Sequence, residues 1–336
     1  LGLTGIYRAI QILSISVGQL DLGQHRGGRE IRPSLLIERP DVDRTRRSFL
    51  TRTVINLSAH GEAYWRVFRD PAGVVTSVRA LDPALVYLGR DAFGRRYFDY
   101  GDPYSGQPRQ RLEPVRDRGR TGDVVHLRLM EVPGLEHGLG PIQSCRAAVT
   151  GGLDLAEFSD QWFANADVPT GVLSSNQQLT ATDVDRYKER WLKTQGGRRG
   201  IAVLGSGLSY EPVLLKPADA QWLESRQFSI TDQARLMGIP APYLLAEING
   251  SSLTYQNLEQ VDQTLLKYTI MGYLNVIEDA FSELLPIGES AAFKPWGFLR
   301  SDNKTRAQIN QIYAVMGVKS REQIAAEEGF PVPVGA

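Results

Sequence analysis

The sequence predicts an α+β protein, and three observations carry that prediction. Apolar residues recur at helical spacing near the N-terminus and switch to a period of two from Glu62 onward. They return to helical spacing after Gly138. Finally, the stretch from Pro217 to Pro286 holds two helical segments, the second far longer than an ordinary globular helix of about 11–12 residues.

Ile6, Ile10, Leu13, Val17 and Leu20 lie on one face of an N-terminal amphipathic helix. Residues 23–47 are rich in glycine, proline and arginine and read as an exposed connector, its basic run either solvated or facing DNA or an acidic neighbour. A second helix over 44–59 carries Leu50, Val54 and Leu57 and stops near His60-Gly61. Glu62–Arg69 and Val74–Leu81 then form a hairpin around Asp70-Pro71-Ala72-Gly73. Shorter strands follow at Leu85–Leu88, Arg96–Tyr100 and Asp123–Leu129, an antiparallel region framed by helices. Gly138-Leu139-Gly140-Pro141 opens a helix over 142–164.

After it comes an insertion: a strand near Val168–Leu173, a helix capped by Thr180 with Val184, Tyr187 and Trp191 as its apolar stripe, and strands at Ile201–Leu204 and Leu208–Leu215. A helix over 218–237, with Leu223, Ile230, Ala234 and Met237 on one stripe, stops at Gly238 before Pro240 and Pro242. A polar loop around Asn249-Gly250 leads to the long helix, Thr254 to Leu285, with Leu266, Ile270, Leu274, Ile277, Phe281 and Leu284 along one face. At 1.5 Å per residue it is about 48 Å long, a structural beam. Two short helices end the chain, the first capped by Ser301 and the second opened by the capping box Ser320-Arg321-Glu322-Gln323.

The bulk numbers exclude several classes. At 336 residues the chain has room for two or three domains. Lys+Arg and Asp+Glu both total 38, so this is no basic nucleic-acid wrapper, although a protein that surrounds DNA without gripping it fits. The one cysteine, Cys145, forms no intramolecular disulfide and suits a reducing compartment. No apolar run approaches the roughly 18 residues of a membrane span. The chain opens at Leu1 inside a helical pattern, as expected of part of a longer chain, which leaves a preceding targeting segment open. There is no G-x-x-x-x-G-K-[ST] loop for ATP, and Gly205-Ser206-Gly207 reads as a hairpin turn. His25, His60, His126 and His137 lack metal-ligand spacing. No catalytic residue, cofactor or metal is expected.

The arrangement resembles the portal (head-to-tail connector) protein of long-tailed bacteriophages. The resemblance spans nearly the whole chain and rests on Gly61-Glu62-Ala63-Tyr64, Arg69-Asp70-Pro71-Ala72-Gly73, Leu81-Asp82-Pro83, Gly138-Leu139-Gly140-Pro141-Ile142 and the run from Trp162 to Leu173. Leu208 to Val213, Arg226-Gln227-Phe228 and Met237 to Leu245 follow in the family's order. Arg321-Glu322-Gln323 departs from the family's usual Asn-Glu-x-Arg run.

The resemblance implies a portal-type fold with an α/β wing (1–141), stem helices (142–167 and 216–240) and a small α/β clip (168–215) between them. A tunnel loop and long wing helix (241–300) and the start of a helical crown (301–336) complete it. It implies a ring, usually of twelve copies, at one capsid vertex of the virion, assembled in the host bacterial cytoplasm. The ring would be the channel for DNA packaging and ejection. Its partners would be the major capsid protein, the terminase large subunit, a neck or head-completion adaptor, and the double-stranded DNA that passes through. No membrane partner is implied.

A channel must surround phosphates without binding them tightly, because each neutralised phosphate adds affinity that would stall sliding. The tunnel-loop tip, Asn249, Gly250, Ser251 and Ser252, is small and uncharged. Residues 241–290 carry Glu247, Glu259, Asp262, Glu278, Asp279, Glu283 and Glu289 against Lys267 alone, either lining an aperture or solvating the outside of the helix. The clip helix and the turn after it carry Arg186, Lys188, Arg190, Lys193, Arg198 and Arg199 against Asp183, Asp185 and Glu189, either a docking surface for acidic partners or neighbouring clips, or ordinary solvated charge. The alternative is another virion structural protein, such as a neck adaptor or minor capsid component. A DNA-processing enzyme would need a clustered acidic or histidine metal site, which the sequence does not display.

Overall fold

The computed structural model describes residues 3–102, 104, 106, 108–164, 171–175, 184–186, 189, 208–212, 230–244, 255–295 and 303–328. In chain order the elements are α1 (Thr4–Gln19), β1 (Leu22–Arg26), β2 (Arg29–Ile31), α2 (Leu35–Glu38), α3 (Arg46–His60), β3 (Glu62–Arg69) and β4 (Val75–Ala80). Then come β5 (Val86–Arg90), β6 (Arg96–Tyr100), β7 (Gln110–Leu112), β8 (Val124–Arg128), α4 (Pro141–Ser144), α5 (Arg146–Ala164), β9 (Gly171–Ser175) and β10 (Leu208–Pro212). A helix over residues 230–237, α6, precedes α7 (Tyr255–Leu265) and α8 (Met271–Leu284). The last elements are β11 (Glu289–Phe293), α9 (Asn303–Val315) and α10 (Arg321–Glu328). The mixture is α+β.

The chain divides into two units, one of residues 1–149 with 230–336 and the other Thr150–Ser229. In the first unit, α1 packs on α3, as their apolar stripes require. The helices approach closely at Gly18, where a Cβ would lie 2.6 Å from Thr51 Oγ1. Thr45 caps α3 by accepting from the Ser48 amide, and Gly61 ends it in the left-handed conformation at φ 75°. The sheet β4–β3–β8 has β3 at its centre, with Trp65 opposite both Ala80 and Val125. Trp65, Phe49 and Phe281 meet with ring centroids 4.7–6.2 Å apart, an aromatic cluster buried in the core. A second sheet, β5–β6–β7, closes a smaller cluster of Tyr64, Leu81, Val86, Phe98, Leu112 and Val124.

Three sequence expectations change. The connector over 23–47 contains β1, β2 and α2. β1 is mostly buried and pairs antiparallel with β11, Leu22 opposite Phe293 and Arg26 opposite Glu289. Its short, polar strand gives no local signal because its partner lies more than 260 residues away. The helix over 142–164 is broken: Cys145 leaves helical geometry (φ −113°, ψ 36°) between α4 and α5. The long helix holds a π turn, Leu266–Ile270, between α7 and α8. The extra residue brings Leu265 to the core beside Leu266, Ile270, Tyr273 and Leu274, whereas in an unbroken helix it would lie about 100° around the axis from Leu266, which is on the inner face in either case.

In the second unit, β9 and β10 pair antiparallel, Gly171 opposite Pro212 and Ser175 opposite Leu208, and residues 184–186 are helical. Thr180, Tyr187, Trp191 and the expected strand Ile201–Leu204 lie outside the described residues. The closing capping box forms as its spacing requires: the Ser320 amide donates to Gln323 Oε1 at 2.9 Å and the Gln323 amide to Ser320 Oγ at 3.1 Å.

Candidate functional site

Gly61 and Gly138–Gly140, far apart in sequence, meet backbone to backbone. A Cβ on Gly61 would stand 2.1 Å from the Gly140 nitrogen, one on Gly138 2.3 Å from the Gly61 oxygen, and one on Gly140 2.5 Å from the Gly61 nitrogen. Only glycine permits this crossing. It is tied by the Leu129 amide donating to Gly61 O at 2.8 Å, and it fixes where the chain enters α4.

Glu62, the next residue, locks the crossing electrostatically. Its carboxylate accepts from His126 Nε2 at 2.9 Å, His137 Nδ1 at 3.1 Å and the Gly138 amide at 3.2 Å. Tyr64 stacks on His126, with centroids 4.6 Å apart and planes 9° from parallel. Burial works to raise the Glu62 carboxyl, but the hydrogen bonds and charges of His126 and then His137 outweigh it and hold it below 4.5. Burial pushes His126 below 6.5 against the pull of Glu62, so the pair at neutral pH is a carboxylate and a neutral imidazole. Burial drives the Tyr64 phenol far above its ordinary range.

Both shifts act in one direction. A histidine with a depressed folded pKa contributes stability that is present above its unfolded pKa and lost as pH falls. A carboxylate with a depressed pKa does the same at lower pH. The melting temperature is therefore expected to hold near pH 7–8, to fall as pH drops below about 6.5, and to fall again below about 4.5. His126→Gln should remove the upper limb in thermal melts taken across pH. A limb unchanged in that variant would refute the assignment.

The long helix carries the acidic residues. Glu278 accepts the Phe293 amide at 2.6 Å, and burial raises its carboxyl. Burial likewise raises Asp262 and Glu283. Glu289 lies on β11 and is buried, accepting from Gln24 and Arg26. The Arg26 hydrogen bond, outweighing burial, leads in holding its carboxyl low. Glu278 and Glu289 are thus structural groups that satisfy β11 and β1, whereas Asp279 is exposed on α8. Glu247 lies outside the described residues.

Of the other candidate positions, Arg186 is helical and exposed. Lys188, Arg190, Lys193, Arg198 and Arg199, and the loop tip Asn249, Gly250, Ser251 and Ser252, lie outside the described residues. Among the described residues no group of three His, Cys, Asp or Glu is arranged to hold a metal ion, and no helix is long and apolar enough to cross a membrane. The Glu62–His126–His137 cluster escaped the sequence reading because its members are 64 and 75 residues apart and share no spacing motif. The glycines, by contrast, had already stood out as motifs.

The phage portal protein family model matches residues 4–329. A probable portal protein of Streptomyces phage phiC31 is 25% identical over 354 residues, covering 100% of this chain and 76% of that protein. The portal protein of Enterobacteria phage HK97 is 25% identical over 311 residues, covering 88% and 69%. Among solved structures, a chain from the neck of an empty gene transfer agent particle superposes with a TM-score of 0.70 at 18% identity, covering 97% of this chain and 90% of that one. An HK97-family phage portal protein from Corynebacterium diphtheriae gives 0.57 at 18% identity, covering 88% and 94%. Both share this fold.

Proposed function

The chain belongs to the phage portal protein family, whose members are structural proteins of the virion, and from that premise we propose that it closes into a ring of about a dozen copies at one capsid vertex. A separate ATP-driven terminase would drive double-stranded DNA through this ring, and a neck adaptor would dock once the head is full. The observation that carries the reading is the family match from residue 4 to residue 329.

In this reading residues 1–141 are the wing, 142–167 and 216–240 the stem, 168–215 the clip, 241–300 the tunnel loop with the wing beam, and 301–336 the start of the crown. The division at Thr150 and Ser229 supports an inserted stem-and-clip unit. Asn249, Gly250, Ser251 and Ser252 face the DNA with no charge to hold it. Arg186, Lys188, Arg190, Lys193, Arg198 and Arg199 present cations to the docking partners. The ring seats in a lattice of major capsid protein during assembly in the bacterial cytoplasm. Its contribution is geometric: an aperture, a rim and a seat, with no chemical step of its own.

Surface chemistry favours assembly. Leu153 on α5 and Ile309, Ile312 and Tyr313 on α9 are exposed, as are Val315 and Met316, and a neighbouring copy would cover such helix faces. Native mass spectrometry and negative-stain class averages of the purified protein test the proposal. A closed ring with a central hole is expected. A stable dimer or trimer would overturn it, because a heterologous ring interface does not stop there.

A further inference from the structure

The turn between Pro114 and Asp123, Val-Arg-Asp-Arg-Gly-Arg-Thr-Gly, is built unlike the other loops of the first unit. It is a hairpin tip closed by Arg116 and Thr121, with the Arg116 amide donating to Thr121 O at 3.1 Å. Asp117 and Arg118 both sit at φ 52°, left-handed backbone that costs non-glycine residues energy and survives only where the surroundings enforce it. The enforcement comes from Arg69. Its guanidinium donates to Gly119 O from Nε at 2.9 Å and from Nη2 at 2.7 Å, and to Gly122 O from Nη1 at 2.6 Å. Gly119 is buried, and a Cβ there would lie 3.2 Å from Glu283 O at the end of α8. One on Gly122 would lie 2.2 Å from Pro114 O.

What this frame presents is three arginines. Arg116, Arg118 and Arg120 are exposed, and none forms an ion pair among the described residues. Three carboxylates share the hairpin, Asp117 within the tip and Glu113 and Asp123 at its base, where Asp123 Oδ2 accepts the Glu113 amide at 3.2 Å; none of the three forms an ion pair with these arginines among the described residues. A strained, clamped backbone that holds unpaired guanidiniums is preorganised for an anionic partner, because the ordering cost is met on folding rather than on binding.

We propose that the Arg116–Arg118–Arg120 tip, positioned by Arg69, docks a carboxylate-rich segment of another protein of the particle. This rests on the portal reading. A trio of arginines neutralises about three phosphates, a contact that salt weakens steeply, and a channel protein is served by letting DNA slide. Carboxylates, like phosphates, take guanidinium forks bidentately, which rewards fixed geometry, and the salt argument is what favours a protein carboxylate here.

The test measures binding of a fluorescein-labelled glutamate-rich peptide to the purified protein by fluorescence anisotropy, with a labelled DNA duplex in parallel. The combined variant R116Q/R118Q/R120Q, which keeps the Arg69 clamp, is expected to weaken peptide binding at least about tenfold. Arg69→Lys keeps every charge but loses the fork, and a several-fold loss there marks positioning rather than bulk charge. Unchanged peptide binding in the triple variant, no binding by the parent, or a preference for the duplex each overturns the proposal. Class averages of the same samples separate the two readings. Rings that form without peptide binding count against this docking site alone, while the absence of rings counts against the portal reading.

Discussion

Replacing Gly61 with alanine is expected to cost the fold about 4 kcal/mol and to lower the melting temperature by roughly 6 °C. Two penalties combine at this one atom. The residue sits at φ 75°, where a side chain is strained, and the added Cβ would stand 2.1 Å from the Gly140 nitrogen and 2.7 Å from the Gly138 oxygen. Neither neighbour is the end of a flexible side chain. The backbone itself must move, and with it the Gly138 amide that Glu62 accepts. Gly73→Ala separates the two penalties: its φ is 83°, but nothing lies within 4 Å of the new Cβ, so it should cost only about 1 kcal/mol. Thermal melts of the two variants side by side check this. Equal losses would mean that the close approach contributes nothing beyond backbone strain.

The second large effect is expected at Phe281. Its ring is fully buried against Trp65 and Phe49, where the long helix crosses the central sheet and α3. Phe281→Ala removes those contacts and leaves a cavity that close-packed neighbours refill only in part, a loss of about 3–5 kcal/mol. Tyr268, thirteen positions earlier on the same beam, is 74% exposed, so Tyr268→Ala should stay within about 0.5 kcal/mol in the unassembled chain. Urea unfolding of both variants measures the contrast. A comparable loss at Tyr268 would show that the beam is stabilised along its outer face as well.

The pattern-bearing parts of the chain were legible before any coordinates. The beam's inner face, Leu266, Ile270, Leu274, Ile277, Phe281 and Leu284, is buried throughout, because a helix that must cover a core repeats its apolar residues at helical spacing. The β3 boundaries, Glu62 and Arg69, agree with the alternation, and the Ser320–Gln323 box closes as its four residues dictate. The family motifs were legible too, and the family match agrees with them. The docking role of the clip cations, Arg186 included, and the place of the tunnel-loop tip come from the resemblance.

Other features had no local signature. The β1–β11 pairing joins residues more than 260 positions apart, and Gln24, Arg26 and Glu289 look like ordinary surface groups until that register brings them together. Two carboxylates that the sequence offers as possible aperture charges, Glu278 and Glu289, serve buried backbone and side-chain donors instead.

What the sequence by itself determined is therefore everything encoded within a turn or two of chain: helix faces, strand alternation, caps, the order of motifs and the family they belong to. What the tertiary structure alone decided is who meets whom across long separations. That includes the glycine crossing of Gly61 with Gly140, the histidines on Glu62, the Arg69 clamp and the π turn that rephases the beam. The physical reason is range. Propensity and periodicity act between near neighbours, whereas a strand register or a shared carboxylate is fixed only once the whole core closes around it.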